Sequence, residues 1–203
     1  MDILKTENIS YGYNKNSKII SNINFSMDSS QVIGLFGDSG AGKSTFCKIL
    51  SNFITDYSGS VLINDSIIDS KFNPVQLIFQ HPEKVMNPHW SMDKILSESW
   101  NPDDDILDEF GIKKEWLKRY PSELSGGELQ RFSILRAINP KTRFIIADEI
   151  TTMLDAVTQV QIWSSLLNYT KKNDIGVLCV SHDMALLERI CDDILYFDKL
   201  NQI

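Results

Sequence analysis

The feature that most constrains this chain is Gly37-Asp38-Ser39-Gly40-Ala41-Gly42-Lys43-Ser44-Thr45, set between an apolar run at 32–36 and an apolar stripe at Phe46, Ile49, Leu50 and Phe53. The run reads as a strand, and the stripe falls at i, i+3, i+4 and i+7, the spacing of one helix face. A glycine-rich turn that leaves a strand and opens a helix aims successive N–H groups at one point, and the helix adds the positive end of its dipole. Such a turn cradles phosphate. Lys43 then brings a point charge to the β and γ phosphates, and the Ser44 hydroxyl is placed for Mg²⁺. Alone, the loop predicts a nucleoside triphosphate and leaves kinase, GTPase, transport ATPase and repair ATPase open.

Further apolar runs at 19–27, 60–63, 75–79, 144–147, 176–180 and 194–197 read as strands of a mostly buried sheet. Val160, Trp163, Leu166 and Leu167 make a second helical stripe, so strand and helix alternate and an α/β class is expected. The stretch 82–121 differs: it is rich in Pro, holds Trp90, Trp100 and Trp116, starts a helix at Asp103-Asp104-Asp105 and shows no convincing strand. It reads as a helical lobe inserted in the α/β core. Its tryptophans are expected to form that lobe's own core, the alternative being a groove for a partner.

With 203 residues the chain supports one sizeable core, or at most two small lobes sharing one, and no multidomain machine. Its net charge of −7 gives no global attraction to nucleic acid or anionic lipid, although a local basic patch remains compatible with it. Three cysteines without a C-x-x-C argue against a disulfide framework or zinc cage and point to a reducing compartment. The start carries charges where a signal peptide needs an apolar run, so none is expected, and no run approaches the roughly 20 apolar residues of a membrane span. A membrane role therefore requires a separate membrane partner.

The run 144–149 ends in Asp148 and Glu149, where the C-terminal edge of a parallel sheet meets its ligand. Asp148 suits Mg²⁺, and Glu149 could accept a proton from water attacking the γ phosphate. Leu124-Ser125-Gly126-Gly127-Glu128-Leu129-Gln130-Arg131 is a second turn that opens a helix, and so a second anion site.

With that octet placed shortly before the Asp148-Glu149 strand, the sequence resembles the ATP-binding cassette family over nearly its whole length. The resemblance implies a P-loop NTPase fold with a RecA-like core, an N-terminal antiparallel β portion and an inserted α-helical lobe. It implies a single ATPase domain, 1–203, with 1–81 and 122–203 as catalytic core and 82–121 as the insertion. It further implies ATP and Mg²⁺ as ligands. Tyr13 looks like the aromatic that stacks on adenine, with Tyr11, which would share its face in a strand, as the alternative. Gln80 resembles the glutamine that senses Mg²⁺ and the attacking water. His182 resembles the histidine that contacts the γ phosphate and steadies Glu149, and Asp155 matches the residue of the loop through which subunits communicate. The sequence departs from the family at Ile150, where proline is usual, and at Met153, where a small residue is usual.

In this family Ser125, Gly126, Gly127 and Glu128 complete the site of the other subunit, so the resemblance implies a dimer closed by ATP. Asn87-Pro88, spaced as it is after Gln80, resembles the ATPases of bacterial peptide and nickel importers. Implied partners are therefore a second cassette ATPase, identical or related, integral membrane permease subunits and an external solute-binding protein, at the cytoplasmic face of the membrane. Nucleic acid is not expected. The sequence ends at Ile203, so a regulatory tail of the kind seen in that group is expected to be absent. The alternative is a soluble cassette ATPase acting on DNA or ribosomes; a cassette that binds ATP and hardly turns it over is a third reading.

Overall fold

Two sheets of opposite character divide the chain. The computed structural model describes residues 1–14, 18–68 and 72–201, so Ile203 lies outside the described residues. In chain order the elements are β1 (Ile3–Tyr11), β2 (Ile20–Asp28), β3 (Val32–Phe36), α1 (Lys43–Leu50), β4 (Ser58–Ile63), β5 (Ser66–Ile67), β6 (Val75–Ile78), α2 (Met92–Ser97), α3 (Asp104–Glu109), α4 (Gly126–Ala137), β7 (Phe144–Asp148), α5 (Ala156–Lys172), β8 (Gly176–Ser181), α6 (Met184–Ile190), β9 (Asp193–Tyr196) and α7 (Phe197–Leu200). Short 3-10 turns lie at Pro82–Lys84, Lys114–Lys118 and Pro121–Glu123.

The first sheet is antiparallel, in the order β2-β1-β4-β5. Strand β2 alternates buried Ile23, Phe25 and Met27 with exposed Asn24 and Ser26, the pattern of a sheet with one wet face. The second sheet is parallel, in the order β6-β7-β8-β3-β9. Every residue of β7 and β8 is buried, as expected where helices cover both faces.

The parallel register positions the site. Ile78 pairs with Ala147, Asp148 with Val180 and Phe36 with Ser181. The residues that follow these strand ends therefore emerge along one edge: Phe79-Gln80, Glu149, His182 and the loop from Gly37.

Several sequence expectations shift. Strand β1 was not among the apolar runs, because Asn8 sits at φ 52° where the register slips between Thr6 and Ile9 and breaks the alternation. Phe53 lies beyond the end of α1, 63% exposed, and packs edge-on against Phe79 at 5.2 Å. Val160 is exposed; the buried face of α5 is Ile162, Trp163, Leu166, Tyr169 and Thr170, rotated from the expected stripe. Phe197 opens α7 and does not end β9.

Between residues 82 and 123 the regular elements are short helices joined by turns, with Asp103 capping α3 through the Ile106 N–H. They have no separate core. Met92, Ile95, Phe110 and Trp116 share one buried cluster with Phe132 of α4, Ile145 of β7 and Trp163 of α5, and Trp90 and Trp100 pack against it partly buried. The segment is too short to enclose its own apolar faces and closes them against the sheet's helices.

A second cluster joins the two sheets through α1. Phe46, fully buried, meets Phe25 of β2 at 6.0 Å and Phe197 at 6.1 Å between ring centroids. Phe46→Ala should remove about 3–5 kcal/mol of stability, readable as a lower denaturation midpoint, with the loop before α1 losing its anchor; an unchanged midpoint would show that the two sheets do not depend on this contact.

Candidate functional site

The loop after β3 is held by its own lysine. Lys43 begins α1, is 5% exposed, and its Nζ donates to the carbonyls of Gly37 (2.6 Å) and Asp38 (2.7 Å). This places a buried cation at the centre of the loop, neutralised by carbonyl dipoles and ready for an anion. Gly42 caps α1 at φ 106°, and a Cβ there would lie 2.9 Å from Ile19 Cγ2, so both backbone and space require glycine. Asp38, Ser39, Gly40 and Ser44 are exposed, Gly37 and Thr45 buried, and Ala41 half-buried against the core cluster around Phe46. Tyr13 is 58% exposed and shares a hydrogen bond with Thr45 Oγ1 (3.3 Å), while Tyr11 is half-buried in the core and meets Tyr13 edge-on. Of the two rings, Tyr13 is the more exposed one beside the loop.

Asp148 ends β7 beside Ser44. Burial pushes its carboxyl above the usual range, opposed by a hydrogen bond from Ser44, while the charge of Glu149 adds to the rise and Lys43 opposes it. A buried carboxylate under that strain has a use for a cation. Among the described residues no group of three His, Cys, Asp or Glu forms a cage for a metal ion. The oxygens present, Ser44 Oγ and the Asp148 carboxylate, with the side-chain oxygen of Gln80, suit a hard Mg²⁺ that leans on substrate phosphates for its remaining ligands.

Glu149 stands one residue further, at φ 50°, a conformation that costs a non-glycine residue about 1–3 kcal/mol. Its N–H donates to Val180 O at 3.0 Å. Its carboxylate is gripped from two sides. Gln80 Nε2 lies 3.2 Å from Oε2, and His182 Nδ1 lies 3.0 Å from Oε1. With the proton on Nδ1, His182 donates to the carboxylate and presents Nε2 outward. Ile150, at the usual proline position, is 3% exposed and belongs to the large core cluster; Thr151 accepts from Trp163 Nε1 at 3.1 Å. These contacts hold the turn down from below.

Ser125 to Glu128 lie elsewhere. Ser125 caps α4 in a reciprocal box: the Glu128 N–H donates to Ser125 Oγ (3.3 Å) and the Ser125 N–H to Glu128 Oε2 (2.8 Å). The turn lines a groove of about 400 Å³ with Trp116, Met153 and Asp155, not with the lysine loop. A Cβ on Gly127 would lie 2.8 Å from Thr158 Cγ2, so glycine lets α4 and α5 approach. Asp155 caps α5, accepting from the N–H groups of Val157 and Thr158 and from the Thr158 hydroxyl at 2.6 Å. These bonds, the hydroxyl first, hold its carboxyl below the usual range. In this chain Asp155 supports its own helix. Arg131 likewise ties α4 to Phe110 O (2.8 Å) and Gln161 Oε1 (2.7 Å).

The structure thus gathers Tyr13, residues 37–45, Gln80, Asp148, Glu149 and His182 on one edge, and Ser125 to Glu128 with Asp155 in another place. Sequence reasoning missed Thr152, which touches both Gln80 and Glu149. The available signal was a hydroxyl three residues after a residue in a tight turn.

The profile of the family described as ABC transporter matches residues 20–152. A nickel import system ATP-binding protein, NikE, from Staphylococcus aureus is 30% identical over 206 residues, covering 95% of this chain and 85% of that protein. Its counterpart in another strain of that species is 29% identical with the same coverage. Among solved structures, CbiO1 from Clostridium perfringens, described as part of the cbiONQ ABC transporter complex, superposes with a TM-score of 0.79 at 23% identity, covering 95% of this chain and 83% of that one. An ATP-binding cassette solved as a dimer in a post-hydrolysis state with ADP and Pi gives a TM-score of 0.78 at 21% identity, covering 95% and 93%. Both structures share the fold.

Gly127→Ala should cost about 1–3 kcal/mol by overpacking against Thr158, and Thr158→Ser in the same chain should restore part of it by removing Cγ2. Thermal melts of the two variants check this; a Gly127→Ala protein as stable as the parent would mean that the helices part freely.

Proposed function

Because the chain belongs to the ABC transporter family, whose ATPases dimerise and work with membrane permease subunits, we propose that it powers solute import of the peptide or nickel and metal-complex type. It hydrolyses ATP to ADP and phosphate, as its family does. It would work from the cytoplasmic face of a bacterial membrane, with a second ATPase, identical or related, and with an external solute-binding protein delivering cargo. Among the described residues no helix is long and apolar enough to cross a membrane, so the proposed membrane work falls to the permease.

The observation that carries the reading is the meeting of Gln80, Glu149 and His182 at one sheet edge beside the Lys43 loop. Tyr13 would stack on adenine, and the loop amides of residues 37–45 with Lys43 would hold the phosphates. Ser44, Asp148 and Gln80 would hold Mg²⁺, which when bound neutralises phosphate charge. Glu149 takes a proton from the water whose oxygen bonds to the γ phosphorus as the bond to ADP breaks. His182 keeps the Glu149 carboxylate aimed. Ser125, Gly126, Gly127 and Glu128, remote from the loop of their own chain, would close the partner's site, with Asp155 shaping that surface. In the same reading 1–81 and 122–203 form the catalytic core, and the 82–121 insertion carries the motion outward.

A groove of about 640 Å³ lies between Phe53, Phe79, Val85, Glu98 and Arg136, with Glu98 and Arg136 paired at 3.2 Å. It adjoins Gln80 in sequence and mixes an apolar wall with an ion pair, which suits docking of a permease segment. The curated relatives named above are import proteins, which disfavours action on DNA or ribosomes.

Glu149→Gln should still bind Mg-ATP, lose turnover by about 10²–10⁴-fold and accumulate an ATP-bound dimer on size-exclusion chromatography; unchanged turnover would remove Glu149 from its role. Lys43→Ala should weaken ATP binding itself by calorimetry, and unaltered affinity would contradict the phosphate assignment. Co-purification from detergent with an integral membrane protein is expected. Retention on DNA or ribosomes without membrane association would overturn the transporter reading.

A further inference from the structure

We infer that Thr152 is a positioning residue: it fixes which way the Gln80 side-chain amide faces, so that Gln80 keeps its NH2 on the protein and offers Oε1 to cation or water. The inference rests on the reading of the site given above and deepens it.

The assignment follows from donors and acceptors. Thr152 Oγ1 lies 2.9 Å from the Glu149 carbonyl oxygen, which can only accept, so the hydroxyl proton points there. A hydroxyl has one proton, and Oγ1 is therefore an acceptor towards its other neighbour. That neighbour is Gln80 Nε2, 3.2 Å away. Nε2 also lies 3.2 Å from Glu149 Oε2, a carboxylate oxygen that again only accepts. Both N–H bonds of the amide are then used, and a flipped amide would set Oε1 against two oxygens.

The threonine oxygen, its own proton committed to the backbone carbonyl, gives the amide a second acceptor besides the carboxylate and so holds its orientation. The same hydroxyl, with the Thr152 N–H at 3.4 Å from the same carbonyl, closes the turn that keeps Glu149 at φ 50°. One side chain thus sets both the backbone of Glu149 and the orientation of Gln80. Thr152 is itself exposed, so its hydroxyl can be removed without opening a cavity.

The test uses the full chain with Thr152→Val, Thr152→Ser, Gln80→Ala, the Gln80→Ala/Thr152→Val double variant, and Glu149→Gln as reference. Turnover, KM and the affinity for ATP with and without Mg²⁺ are read for each. Thr152→Val should lower kcat about fivefold to tenfold, the worth of one hydrogen bond, with KM nearly unchanged and Thr152→Ser restoring the rate. The gain in ATP affinity that Mg²⁺ provides should shrink in Thr152→Val and return in Thr152→Ser. The double variant should lose less than the product of the two single losses, because the part of the Thr152→Val loss that runs through the Gln80 amide is already absent there. Parental turnover and Mg²⁺ gain in Thr152→Val, while Glu149→Gln abolishes turnover, would overturn this inference alone. Losses that multiply in the double variant would also overturn it. Parental turnover in Glu149→Gln would overturn the reading of the site and this inference with it.

Discussion

The site depends on four parallel strands that end together. Strands β6, β7, β8 and β3 arrive at one edge in a single register, Ile78 beside Ala147, Asp148 beside Val180 and Phe36 beside Ser181. No loop has to reach far. Gln80, Glu149 and His182 each lie one or two residues past a buried strand end, so the stiffness of the sheet passes to their side chains almost undiluted. A one-residue slip in any strand would exchange its two faces and withdraw one of these groups. Full burial of β7 and β8 opposes such a slip, since the side chains on both faces are fitted to what packs on them and a displaced backbone polar group would find no water.

That rigid edge carries one strained residue. Glu149 at φ 50° turns its carboxylate from the strand direction towards Gln80 and His182, and the surrounding chain offsets the cost. Ile150 anchors the turn by burial, Trp163 fixes Thr151 by a hydrogen bond, and Thr152 closes the turn on the Glu149 carbonyl. These residues face different ways and act at different ranges. Ile150 stands where proline is usual in the family, and its burial supplies a restraint of the kind a proline ring would supply by its fixed φ.

Much of this was legible in the sequence, and the reason is locality. The 37–45 loop, the Asp148-Glu149 strand end and the octet from Leu124 combine turn chemistry with flanking periodicity, and residues within ten positions decide both. What escaped depends on distant neighbours. Phe53 continues the α1 stripe in sequence, yet Phe79 draws it to a groove outside the helix. Val160 continues the α5 stripe, yet the buried face is set by β8 and the cluster around Phe110. Trp116 joins a core shared with β7, which no window of the 82–121 segment could reveal. Thr152 escaped because its partners, Gln80 and Glu149, meet only once β6 pairs with β7.

The second cluster of candidate residues gives the proposed dimer its physical asymmetry. Beside the Ser125–Gly127 turn stands Met153, 70% exposed, an apolar side chain next to a helix N-terminus. Apolar contact is non-directional and does not depend on what occupies the lysine loop. The first-turn N–H groups of α4 lack helical acceptors, and their attraction depends entirely on an anion being opposite. In a pair of such chains that side chain would favour approach at all times, while the amides would favour closure only while a γ phosphate lies against them. Loss of that phosphate removes the directional part and leaves the other, so the subunits would relax apart without wholly dissociating. A ligand can shift an equilibrium only by its difference in affinity for the two states. In the proposed dimer that difference would be carried by a few amides at one helix end, with the exposed methionine beside them adding attraction that does not change with the nucleotide.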